Sequence, residues 1–109
     1  MINDIIKQDE EQFSSICAKH QINNLFAFGS SITKDFKPDS DIDLLVEIKE
    51  DDPLVKGELL FSLWDNLELF FHRRVDLVTD SSIHNPVLLK NIEATKKLIY
   101  DGAKGKIVN

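Results

Sequence analysis

The chain is short of the features that define several protein classes. Cys17 is its one cysteine, so an internal disulfide is excluded and no second thiol is available for a zinc site. Cys17 is read as a small buried apolar residue of the first helix. Apolar runs such as Leu59-Leu60-Phe61 fall far short of the roughly 18 residues that a membrane span needs. The N-terminus, Met1-Ile2-Asn3-Asp4-Ile5-Ile6-Lys7, has an acid where a secretory signal is basic and no long apolar stretch, which points to a cytoplasmic location. Basic residues do not run beyond pairs such as Arg73-Arg74 and Lys96-Lys97, and the net charge is -6. Counterion release from phosphates needs clustered Lys and Arg, so long nucleic acid is not expected as a partner. A nucleotide is another matter, because a few carboxylates holding a divalent cation can bring a metal–nucleotide complex to an acidic protein.

What is present is an ordinary globular composition in 109 residues, 42% apolar and 29% charged, enough for one modest core and one domain. Ile5, Ile6, Phe13, Ile16 and Cys17 recur at helical intervals and predict an amphipathic helix through about His20. Asn24 to Phe28 is a short apolar run stopped by Gly29 and reads as a buried strand. After a polar stretch with Pro38, Asp41 to Ile48 reads as a second strand. Pro53 opens a second long helix through Phe71, in which Trp64, Phe61, Phe70 and Phe71 are expected in the core. Arg73 to Thr79 reads as a third strand, Pro86 to Ala94 as a short helix, and Lys97 to Tyr100 as a last edge strand. The fold class expected is α/β, a mixed sheet of about four strands backed by helices. Residues 1–102 form the domain, and residues 103–109 are expected to be a mobile tail, since the stretch after Asp101 has two glycines, Gly102 and Gly105, and little to bury. His20, His72 and His84 lack metal-ligand spacing and are read as surface or helix-end residues.

The chemistry lies at two short motifs. In a strand, alternate side chains share a face, so Asp41 and Asp43 stand side by side while Ile42 and Leu44 turn away. Adjacent carboxylates repel, and a divalent cation converts that repulsion into a ligand set. Magnesium suits two carboxylates completed by substrate phosphates. Asp76, set among Val75, Leu77 and Val78, is costly to place in a strand without a partner; beside the second strand it becomes a third ligand. Gly29 lets backbone approach a phosphate, and the Ser30 hydroxyl with nearby N–H groups can bind its oxygens.

The stretch Phe28-Gly29-Ser30, ten residues, then Asp41-Ile42-Asp43-Leu44-Leu45-Val46 resembles the signature of the minimal nucleotidyltransferases (MNT) of the DNA polymerase β-like superfamily. Arg74-Val75-Asp76-Leu77-Val78 is similar to the strand that carries that family's third carboxylate. The resemblance implies a polymerase β-like palm fold, ATP as substrate, one or two Mg2+ ions, and transfer of a nucleoside monophosphate. It implies Asp41, Asp43 and Asp76 as catalytic metal ligands, with Gly29, Ser30, Ser40 and Lys34 on the nucleotide. It also implies a partner, since many minimal members act as antitoxins that adenylylate a HEPN ribonuclease toxin on tyrosine. Many members follow Gly-Ser with Arg-Ala-Arg-Gly, whereas this chain has Ser31-Ile32-Thr33-Lys34, leaving Lys34 or Lys37 as the nearby positive charge. Two functions therefore stand: an active adenylyltransferase, which is favoured, and a binding module that neutralises its partner by contact.

Overall fold

The computed structural model describes residues 1–108. Capping residues divide the helices. Helix α1 (Ile2–Lys7) and helix α2 (Glu10–Lys19) replace the single expected first helix, because the Asp9 side chain accepts from the Gln12 N–H at 3.1 Å and starts a new one. Helix α3 (Pro53–Phe71) has Pro53 in its first turn and Asp52 as its cap, accepting from the Leu54 N–H at 2.9 Å. It stops at His72, which takes a left-handed conformation, φ 53°. Helix α4 (Pro86–Thr95) repeats the device, with Asn85 capping the N–H groups of Val87 and Leu88.

Strands β1 (Ile22–Phe28), β2 (Ile42–Ile48), β3 (Val75–Val78), β4 (Lys97–Asp101) and β5 (Lys106–Ile107) form one sheet in the order β3-β2-β1-β4-β5. Only β2 and β3 are parallel, joined through α3. The segment between β1 and β2 holds a single 3-10 turn, Gly29–Ile32. The expected α/β mixed sheet is therefore present with five strands, and β4 is not an edge.

The fifth strand comes from residues expected to be a mobile tail. Asp101 accepts from the N–H groups of Ala103 and Lys104, which turns the chain back so that Ile107 pairs with Tyr100 and packs against the core. Asn109 lies outside the described residues.

Strand alternation decides what each sheet face does. Ile42, Leu44, Val46 and Ile48 join Leu25, Ala27, Val75 and Leu77 in a core with Phe13, Cys17, Leu63 and Leu67 from the helices. Asp43 and Asp76 belong to the opposite set. Cys17 is buried as expected, and burial pushes its thiol up to about 12. Phe71 is buried and Phe70 and Trp64 pack against the core, but Phe61 is 72% exposed because it falls on the outer side of α3. His20 ends α2 as expected but is buried, with Nδ1 2.7 Å from the Ile16 carbonyl and Nε2 2.8 Å from the Ser62 hydroxyl. No described helix is long and apolar enough to cross a membrane.

Candidate active site

The two ends of the sequence motif meet through strand register. Asp43 lies opposite Phe28 across the antiparallel β1–β2 pair and opposite Asp76 across the parallel β2–β3 pair. Neighbouring strands are about 4.8 Å apart, so the two carboxyl-bearing residues stand side by side on one face. Asp41 sits just outside β2, exposed, in the segment that leads into it. Burial, then the charge of Asp76, then that of Asp41, raise the Asp43 carboxyl above its ordinary range. The charges of Asp41 and Asp76 thus both reach the Asp43 carboxyl.

Gly29 makes room for them. Its φ is +63°, and a Cβ at this position would come within 2.6 Å of Asp43 Oδ2. Any side chain would fill the space beside that oxygen. Ser31, fully buried, completes the join: its Oγ accepts from the Asp43 N–H at 2.9 Å, so the turn after β1 holds the backbone of β2 at the acidic residue. Ser30 is half-buried, and its carbonyl accepts from the Thr33 N–H at 3.1 Å and the Thr33 hydroxyl at 3.2 Å. Ser31 and Thr33, at the places where the resemblance leads one to expect arginines, therefore bond to backbone, Ser31 across to β2 and Thr33 within its own turn. Lys34 is exposed. The Ser40 hydroxyl accepts from the Lys37 N–H at 3.0 Å and is engaged in its own turn.

Several contributors were not legible as site residues in the sequence. Arg73 donates to the Lys37 carbonyl at 2.9 Å and the Ser40 carbonyl at 3.3 Å, with its guanidinium 4.8 Å from the Phe36 ring centre. It thereby ties down the loop before Asp41. Trp64 and Glu68 of α3 both bind the backbone of Val75, the residue before Asp76. The one sequence signal was indirect: a Trp and a Glu four apart on a helix face one side.

The donors present are hard carboxylate oxygens, with the Asp43 carboxylate packed close against Gly29, a donor set that fits magnesium held by one or two carboxylates plus substrate phosphates. Among the described residues no three or more His, Cys, Asp or Glu side chains close into a metal cage. A cage is not what such an ion needs when phosphates complete its shell. A cleft of about 660 Å³, lined by residues that include Gln8, Gln12, Leu69 and Arg73, lies away from the carboxylates. Its size is not a reason to place the chemistry there, since it lacks the paired acids.

Comparison with known proteins shows the family and the fold. Residues 11–104 match the family described as Polymerase beta, Nucleotidyltransferase. The chain belongs to that family and is a nucleotidyltransferase. It is 38% identical over 82 residues to a Methanocaldococcus jannaschii protein named as a protein adenylyltransferase, covering 75% of this chain and 79% of the relative. A second so named from the same organism is 32% identical over 99 residues, 91% of this chain and 93% of that one. Among solved structures, a minimal nucleotidyltransferase superposes with TM-score 0.62 at 27% identity, over 88% of this chain and 93% of the other. A toxin–antitoxin structure with AMP-PNP shares the fold at TM-score 0.60 and 22% identity, over 85% of this chain and 73% of that one.

Proposed function

We propose that this nucleotidyltransferase transfers AMP from ATP, with magnesium, to a tyrosine of a HEPN-type partner protein and so acts as an antitoxin. The observation that carries the reading is the register of Asp43 against Asp76, with the Asp43 carboxylate packed closely against Gly29 at the end of β1. Relatives named as protein adenylyltransferases support adenylyl transfer to protein. The MNT resemblance supports ATP and the HEPN partner.

In this reading Asp41, Asp43 and Asp76 hold the metal, and Gly29 and Ser30 approach the triphosphate, with Ser40 and Lys34 at its margin. Magnesium, when bound, offsets the charge of the phosphates and of the leaving group. The acceptor hydroxyl oxygen bonds to the α-phosphorus, the α–β phosphoanhydride bond breaks, and pyrophosphate leaves. Asp76, the exposed strand carboxylate, takes the hydroxyl proton. Asp41 and Asp76 are exposed and Asp43 half-buried, so the acids lie at the surface, where a residue presented by another protein can reach them.

The test is incubation with labelled ATP and a HEPN-type partner protein. Label should appear on a partner tyrosine in a magnesium-dependent way. Asp43→Asn with Asp76→Asn should abolish labelling, by well over about 100-fold, because losing ligands exceeds the 10–100-fold cost of disturbing their supports. Neutralisation of the partner that survives this double change would show that contact alone suffices.

A further inference from the structure

Strand β3 is the edge of the sheet, and its residues alternate in where their backbone groups point. The Arg74 carbonyl faces inward and accepts from the Ile42 N–H at 3.0 Å. Both backbone groups of Val75 are instead taken by α3. Its N–H donates to Glu68 Oε2 at 2.9 Å, and its carbonyl accepts from Trp64 Nε1 at 2.7 Å. The Val75 carbonyl and the Asp76 N–H belong to one planar peptide unit, so this clamp grips the plane from which Asp76 projects.

We propose that Glu68, assisted by Trp64, is a positioning residue that holds Asp76 in register with Asp43 and so sets the metal affinity of the site. The proposal rests on the reading of Asp76 as a metal ligand. A merely protective role for an edge is commonly met by a charge, a proline or a short strand. Here a matched acceptor and donor meet both groups of the one residue that precedes the carboxylate. Four-residue strands have few ladder bonds, so the clamp is a large share of what locates β3.

The test uses the full chain with Glu68→Ala, Glu68→Gln, Trp64→Phe and Asp76→Asn. Mn2+ affinity is read by electron paramagnetic resonance, ATP turnover by kcat and KM, and folding by thermal unfolding. Supports of metal ligands typically cost 10–100-fold when removed. Glu68→Ala should weaken Mn2+ binding about 10-fold and lower kcat by about 10–100-fold, with KM for ATP within about threefold. Glu68→Gln keeps an oxygen that accepts from Val75 and should recover most of both. Trp64→Phe should show a smaller loss of the same kind. Wild-type Mn2+ affinity in folded Glu68→Ala, or a folded Glu68→Gln as weak as Glu68→Ala, would overturn the proposal. Should Glu68→Ala not fold, Trp64→Phe with wild-type affinity and turnover overturns it equally. Unchanged Mn2+ affinity in Asp76→Asn would instead remove the underlying ligand reading, and the clamp's role with it.

Discussion

Gly29 and Gly102 lie at opposite ends of β1, and each is a glycine because something comes too close for a Cβ. At Gly29 the neighbour is the Asp43 carboxylate; at Gly102 it is backbone, the carbonyl oxygens of Ile22 and Asn23. Gly102 donates its N–H to the Asn23 carbonyl at 2.7 Å and helps seat the β4–β5 hairpin. One end of the strand lets an acidic side chain approach the backbone, while the other uses the same freedom to close the sheet. The acidic end sets like charges against each other, an arrangement that costs stability in the absence of a cation. The hairpin end carries no such cost.

That contrast can be broken by substitution. The largest effect expected is at Gly29→Ala, where a Cβ meets Asp43 Oδ2 and a non-glycine must hold φ +63°. Adenylyl transfer should fall about 10–100-fold, as when other supports of a metal site are removed. Stability should fall by about 1–2 kcal/mol from the left-handed backbone. Steady-state kinetics beside denaturant unfolding would check both, and a fully active variant would mean that the close approach of Asp43 to Gly29 does not matter for transfer.

Gly102→Ala should show the reverse profile. Overpacking against fixed backbone should cost about 1–3 kcal/mol. Transfer per folded molecule should stay close to wild type, measured below the lowered melting temperature. A comparable loss of turnover would show that the two ends are coupled.

The smallest effect expected is on pH. Asp43 has a raised pKa in the folded chain, from burial first and then Asp76 and Asp41, so the folded state holds that proton longer than the unfolded one. Its destabilising contribution is absent below the ordinary carboxylate range, grows as pH rises towards the raised value, and is constant above it. Metal-free Asp43→Asn should therefore melt above wild type at neutral pH and converge with it in acid. Thermal melts across pH in chelator would show this, and parallel curves would contradict it.

Much of the fold was legible because it is local. Asp52-Pro53 and Asn85-Pro86 mark helix starts in the sequence as they do in the structure, and the run to Phe28 stops at Gly29 in both. The missed pieces depend on partners far along the chain. The exposed place of Phe61 follows from which side of α3 meets the sheet, and β5 exists because β4 offers it an edge. Ser31, at a place where an arginine is expected from the resemblance, has its hydroxyl on the Asp43 N–H, twelve residues away. Arg73 reaches back 36 residues to the Lys37 carbonyl, a link that no spacing rule carries.

The sequence by itself determined the kind of chemistry: hard oxygen donors two residues apart, and a Gly-Ser placed ten residues before them at the end of an apolar strand. These are short-range facts of residue spacing and of glycine's freedom at φ +63°, although β2 begins only at Ile42, so alternation within the strand does not extend to Asp41. Only the tertiary structure decided that Asp76 stands opposite Asp43 rather than Ile42 or Leu44, since one step of register would turn it to the core. That choice is made by parallel pairing and by helix α3, whose Trp64 and Glu68 hold the edge strand in place.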